Sequence, residues 1–277
     1  MSDGSSNVGR PTAQIVVAGA AGRMGTRIIA CMGDAADLRL VAALEAPGHP
    51  AIGADAGETA GVARRGVPIT ADAAAALTSG RLLVEFSTPE ATLEHLRLVA
   101  GVGARAVIGT TGFSPRQRDE IRDLGTKAAI LLSPNMSVGV TLALRLLATM
   151  AKALGDDYDV EITEIHHRMK KDAPSGTAVR MAEVVAEALG RDLGTAAVYG
   201  RQGLPGERTR KEIGIFSLRS GDVVGEHTVS FGAPGERLEL THRAHSRDTF
   251  ARGALRAVRF IAARPPGVYS MQDVLGL

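Results

Sequence analysis

The sequence predicts an α/β chain, a doubly wound parallel sheet joined to a central, smaller α+β domain. Three observations predict it. From Gln14 short aliphatic runs alternate with longer amphipathic ones, the rhythm of strand–helix–strand units. After Pro134 that rhythm gives way to two long helical patterns with a strand between them and then to 211–244, which reads mostly as strand. A last amphipathic segment, about 246–262, resumes the helical period and is expected to return to the first domain.

Residues 1–13, MSDGSSNVGRPTA, are small and polar without a basic start or an apolar segment, and read as a flexible leader. The runs QIVVAG (14–19), LRLVAAL (38–44), RLLVEFS (81–87), ARAVIGT (104–110) and AAILLS (128–133) read as buried strands. Helices are expected at 22–33, 89–101 and 114–126. Thr88-Pro89-Glu90 and Ser114-Pro115 open the last two, each with a capping hydroxyl and a proline whose missing N–H is harmless in the first turn. The second part reads as a helix near 137–153, a strand near 158–168, a helix near 175–189 and the strands of 211–244. GTAAVYGRQGLPGERTRK (194–211), rich in glycine and charge, reads as a mobile loop.

With 277 residues there is material for two modest domains, and with 3% aromatics and no Trp their cores must be aliphatic. A formal net charge of +2 and few stacking platforms argue against a nucleic-acid partner. Arg145 and Lys152 interrupt the longest apolar stretch, VTLALRLLATMAKAL, so no membrane span is expected. The lone Cys31 cannot form an internal disulfide and fits a reducing cytoplasm. His49, His95, His227, His242 and His245 show no ligand spacing, so no metal is expected.

IVVAGAAGRMG places Gly19, Gly22 and Gly25 where the first strand meets the first helix. Such a turn lets the backbone approach a pyrophosphate, which is the requirement of a Rossmann-like dinucleotide domain. Glu45 ends the second strand, where an acidic group accepts hydrogen bonds from an adenosine ribose. FSTPE (86–90) and GTTGF (109–113) sit at two further strand ends, the positions that line the crevice in an open sheet of this kind.

HHRMKKDAPSGTA (166–178) gathers proton-transfer groups beside an apparent helix start. Pro174 suits the first turn, and the amides of Ser175, Gly176 and Thr177 would then face outward to hold a carboxylate. His166 and Lys170 are four apart, as are His167 and Lys171, and spacing does not choose between the pairs. A nicotinamide supplies only hydride in a reduction, so the proton falls to a side chain of this type.

VAGAAGRMG, FSTPEAT, IGTTGF, SPNMSVG, EIHHRMKKDAPSGTA and GEHTVSF, followed by ERLELTHRAHSRDTFARGAL, occur in the order found in the bacterial 4-hydroxy-tetrahydrodipicolinate reductase (dihydrodipicolinate reductase) family, which the chain resembles from about Gln14 to its last helix. The resemblance implies NAD(P)H-dependent reduction of 4-hydroxy-tetrahydrodipicolinate to tetrahydrodipicolinate, in diaminopimelate and lysine biosynthesis. It implies a homotetramer, with residues 14–134 and 245–277 binding the dinucleotide and 135–244 binding substrate and forming tetramer contacts. Matched residue by residue, His166 becomes proton donor and acceptor, Lys170 the proton donor and His167 a substrate-binding residue, while Gly176 and Thr177 hold a substrate carboxylate. The cofactor falls to Gly19, Ala20, Ala21, Gly22, Arg23 and Met24, to Glu45, to Gly109, Thr110 and Thr111, and to the hinge stretch Ser133, Pro134, Asn135 and Met136. Many members carry a basic residue after the acidic one, whereas here Ala46 follows Glu45. That favours NADH over NADPH and leaves Arg23 as the remaining phosphate partner.

Overall fold

The computed structural model describes residues 13–277. The expected leader lies outside the described residues except for Ala13, which opens the first strand. In chain order the elements are β1 (Ala13–Ala18), α1 (Gly25–Cys31), β2 (Leu38–Leu44), α2 (Ala56–Thr59), β3 (Ile69–Thr70), α3 (Ala73–Ala76), β4 (Arg81–Glu85) and α4 (Pro89–Gly101). Then come β5 (Arg105–Ile108), α5 (Pro115–Gly125), β6 (Ala129–Leu132), α6 (Val138–Leu154), β7 (Asp159–His166), α7 (Gly176–Ala188), α8 (Leu193–Ala196) and β8 (Ala197–Val198). The chain ends with β9 (Ile213–Arg219), β10 (Gly225–Ala233), β11 (Glu236–Ala244), α9 (Asp248–Ile261), β12 (Gly267–Tyr269) and α10 (Met271–Leu275). Two compact units result among the described residues, one formed by residues 13–136 with Asp248–Gly276, the other by Ser137–Arg247.

The first unit is built on a seven-stranded parallel sheet in the order β12-β6-β5-β4-β1-β2-β3. Its strands are short continuous aliphatic runs because both faces are covered. On one face Val16, Leu83, Ile108 and Ile130 pack with Leu93, Leu96 and Val99 of α4 and Ile121 of α5. α1 and α9 pack on each other, and α9 lies against β4, β5 and β6. The apolar positions of α9, Ala251, Ala254, Leu255, Val258 and Ile261, recur at helical spacing and are all buried. Two forked ion pairs fasten it: Arg259 to Asp37 at 2.7 and 2.8 Å, and Asp248 to Arg27 at the same distances. Strand order reverses between β1 and β4, which fixes the ligand crevice of such a sheet at its carboxyl edge.

α4 and α5 begin where their caps predict, with Thr88 accepting from Ala91 and Ser114 forming a reciprocal capping box with Gln117. The first helix starts at Gly25 rather than 22, because Gly22 donates to the Gly19 carbonyl and closes a turn instead. β3 and β12, of two and three residues, were not foreseen, being too short to show a period.

The second unit has a mixed sheet in the order β11-β10-β7-β9-β8, with β10 antiparallel to both neighbours and β7, β9 and β8 mutually parallel. β7 alternates strictly, turning Val160, Ile162, Glu164 and His166 inward, and β10 turns in His227, Val229 and Phe231. The apolar members of this face pack with Ala143, Leu147 and Ala151 of α6 and with Met181 and Val185 of α7. By length and composition alone Val138–Asp157 is apolar enough to cross a bilayer, despite Arg145 and Lys152. Its buried stripe nonetheless belongs to this core. The expected loop 194–211 departs from expectation too: it includes most of α8 and all of β8, which pairs with β9. Beyond them Arg201 and Arg208 anchor the segment, both to Glu161, with further bonds to Glu212 and Asp159.

Candidate active site

At the carboxyl edge of the first sheet, β1 runs into Gly19, whose φ of +71° lies in the region other residues avoid. The N–H groups of Gly19 and Ala20 both donate to the Leu44 carbonyl, at 3.0 and 3.1 Å, so the turn lies across the end of β2. A Cβ at Gly19 would overlap the Phe86 carbonyl oxygen, and one at Gly25 the Gly19 carbonyl oxygen. Both glycines are therefore required by packing, while Gly22 stays exposed at the tip. Just past β2, Glu45 accepts the Ala21 N–H at 2.8 Å and the Ala46 N–H at 3.3 Å, tying that strand end to the glycine turn.

The neighbouring loops are registered with equal closeness. Gly109 donates to the Glu85 carbonyl at 2.9 Å and carries the Phe86 ring against its Cα. Thr110 is buried and receives the Thr92 hydroxyl at 3.0 Å, whereas Thr111 is exposed. Ser133 donates its amide to the Ile108 carbonyl and its hydroxyl to the Asn135 carbonyl. Met136 is buried beside Gly253 of α9, and Pro134, between Ser133 and Met136 in sequence, is exposed. The turn from Gly19 to Met24, Glu45, Gly109 to Thr111 and Ser133 thus all stand at the carboxyl ends of β1, β2, β5 and β6. A side-chain-free cradle with a carboxylate at the adjacent strand end fits a dinucleotide. Arg23 is exposed on this turn. Glu85, fully buried at the end of β4, holds His95 at 2.6 Å and both the amide and the hydroxyl of Ser87.

The second unit concentrates its ionisable groups where β7 ends. His166 is the last residue of that strand, and the chain then turns, with Ser220 donating to the His166 carbonyl and Lys170 to the His167 carbonyl. The four-residue spacing of His166 and Lys170 is therefore not a shared face of one element, since Lys170 lies beyond the turn. Its ammonium binds both oxygens of Asp172 at 2.9 Å. A cis Ala173–Pro174 peptide leads to Ser175, the N-cap of α7, so Pro174 precedes the helix instead of lying in its first turn. Nor is the Ser175 amide free, because it donates to Glu164 at 3.1 Å. Gly176 is exposed, with open space where a Cβ would stand, and Thr177 and His167 are half-buried.

Glu164 is wholly buried and bound on every side. Its Oε2 lies 2.5 Å from His166 Nδ1, and Arg219 Nη1 reaches both carboxylate oxygens at 2.9 and 3.1 Å. Burial alone would raise its pKa, yet the hydrogen bonds from His166, Ser217 and Arg219 hold it below the usual carboxylate range. For His166 burial dominates and lowers the pKa against the pull of Glu164, with Lys170 and Arg219 adding to the fall. His227 packs edge-on against His166, ring centroids 5.1 Å apart, and its Nε2 meets the Ser175 hydroxyl at 3.0 Å. Burial pushes His227 down to about 3, so its ring is neutral. Asp172 is lowered chiefly by its bond to Lys170.

Two family models cover nearly all of this chain: the N-terminal part of dihydrodipicolinate reductase over residues 13–136 and its C-terminal part over 139–275. The chain belongs to the dihydrodipicolinate reductase family. Among its relatives, the 4-hydroxy-tetrahydrodipicolinate reductase of Syntrophus aciditrophicus is 52% identical over 94% of this chain and 97% of its own. The reductase of that name from Nitrosomonas europaea is 54% identical over 95% and 98%. A dipicolinate-bound dihydrodipicolinate reductase from Paenisporosarcina shares the fold at a TM-score of 0.75, with 24% identity over 95% of this chain and 98% of its own.

For this member of the dihydrodipicolinate reductase family the sequence singled out the residues around the turn after β7 but assigned no role to Glu164, Arg219 or His227. Glu164 had a signal, since a residue two before His166 on a strand shares its face. Arg219 had none, being brought alongside by the parallel pairing of β7 with β9, in which His166 stands opposite it.

Proposed function

We propose that this chain reduces 4-hydroxy-tetrahydrodipicolinate to tetrahydrodipicolinate with a reduced nicotinamide dinucleotide. The observation that carries the reading is the joining, within a dozen residues, of a lysine ammonium, a buried imidazole and the opening turn of α7. A bound reduced nicotinamide supplies the hydride for a ring carbon left unsaturated after the hydroxyl departs. Lys170 Nζ gives the proton to the neighbouring ring carbon. His166 is neutral near pH 7 by virtue of its burial, and its Nε2 accepts and returns a proton beside it. Gly176 and Thr177 hold a substrate carboxylate with backbone amides and a hydroxyl at the start of a 13-residue helix, and His167 binds the same dicarboxylate.

The dinucleotide rests on Gly19 to Met24, Glu45, Gly109 to Thr111 and Ser133 to Met136. With Ala46 after Glu45, NADH is the favoured form, and Arg23 is the residue left for an additional phosphate. The same reading makes the enzyme a cytoplasmic homotetramer. The supporting feature is the second sheet, whose α6 and α7 cover one face and leave Thr163, Thr228 and Thr241 on the other. The test is a coupled assay that generates the substrate enzymatically and follows NADH and NADPH separately. Oxidation of either with formation of tetrahydrodipicolinate supports the proposal, and no oxidation of either sinks it.

A further inference from the structure

The groups around Glu164 come from every element packed on it. His166 shares its strand, Ser217 and Arg219 reach it from β9, His227 is its cross-strand neighbour on β10, and Ser175 meets it from the head of α7. Lys170 and Asp172 approach through the intervening loop, and Arg219 Nη2 donates to the Asp172 carbonyl at 2.6 Å. An ionised carboxylate only accepts hydrogen bonds, so the 2.5 Å contact at Oε2 places the hydrogen of a neutral His166 ring on Nδ1. The lone pair is then left on Nε2. Beside Nε2 stands Gly225, where a Cβ would come within 3.0 Å of that nitrogen, so the absence of a side chain there keeps the lone pair uncovered.

We infer that Glu164 is the positioning residue of the reaction: it fixes the Nδ1–H tautomer of His166 and, through the Ser175 amide, sets that imidazole in register with the start of α7. Arg219 serves this arrangement by neutralising a carboxylate that would otherwise be costly to bury ionised. One carboxylate thus aligns the proton-handling ring and the helix end assigned to the substrate. The inference rests on the proposed role of His166, and its test separates the two.

Nitrogen-15 NMR of the free wild-type enzyme near pH 8 is expected to show His166 as the Nδ1–H tautomer, and an Nε2–H tautomer would overturn the inference without any assay of turnover. In Glu164→Gln the amide can donate as well as accept, so the ring is expected to lose its single tautomer. The kcat is expected to fall at least about tenfold, without exceeding the ~10²- to 10⁴-fold attributable to the acid–base group itself. The KM for NADH should stay unchanged, and the limb of the kcat/KM pH profile belonging to His166 should move. Should that variant not fold, Glu164→Asp keeps the charge but withdraws it from Nδ1 and is read in the same way. An altered tautomer with unaltered kcat, in an enzyme that His166→Gln slows, overturns the positioning role alone. Full activity of His166→Gln overturns the role of His166 and this inference with it.

Discussion

The ring of Phe86 fills the space that any side chain on Gly109 would occupy. The same residue offers its carbonyl oxygen to the Cα of Gly19, so one phenylalanine registers two of the loops at the carboxyl edge of the first sheet. Gly109→Ala must displace that ring. A loss of roughly 1–3 kcal/mol in stability is expected, together with weaker NADH binding, read by urea denaturation and calorimetric titration. Wild-type values for both would show that the loops are not coupled through Phe86.

Gly253 of α9 meets a less forgiving neighbour, because a Cβ there would overlap the main-chain carbonyl of Met136. A backbone atom cannot swing aside as a ring can. Gly253→Ala is expected to lower stability by about 3 kcal/mol, the upper part of the overpacking range. Gly101→Ala, at the end of α4 with open space around its Cα, is the matched control and should change little.

His227 predicts a pH dependence of folding. Its imidazole stays neutral down to about 3, whereas in the unfolded chain it titrates near its ordinary ~6.5. Between those values the unfolded state binds the extra proton, so the contribution is complete above about pH 6.5 and is lost progressively as pH falls toward 3. His227→Gln should therefore flatten the decline in urea midpoint from pH 7 to pH 4.5. His166 and His242 are lowered in the same direction and preserve part of the slope. An identical slope in the variant would remove His227 from this account.

Lys170→Ala is expected to cut kcat by ~10² to 10⁴, the usual worth of a general acid, while leaving the Kd for NADH within a factor of about two. Fluorescence titration measures the second and steady-state kinetics the first. Undiminished turnover would reassign the proton donor.

What the sequence made legible follows from the range of the forces involved. The five longer aliphatic strands of the first sheet and the Pro-opened helices α4 and α5 declare themselves through local pattern and capping chemistry. The loop before β3 does not. It is organised by Asp55, whose carboxylate accepts the amides of Gly57, Glu58, Arg65 and Val67, and a carboxylate that gathers amides up to twelve residues away leaves no period to read. In the second unit the residues from His166 to Thr177 were visible as a concentrated motif. Their support was not, because Arg219 and His227 reach Glu164 and Ser175 only through strand pairing across more than fifty residues. The amide of Ser175, which the sequence leaves facing outward, is taken instead by Glu164 once the turn after β7 brings the head of α7 back against that strand.

The first unit takes its covering helix α9 and its edge strand β12 from residues 248–276, whereas the second is one uninterrupted stretch. During synthesis the later-starting unit is consequently the earlier one able to finish. Until Gly267–Tyr269 leave the ribosome, β6 has a bare rim and the apolar seat of α9 stays vacant. The nascent protein must shelter that incomplete half for the time it takes to translate more than a hundred codons, a burden that a chain with its domains strung end to end would escape.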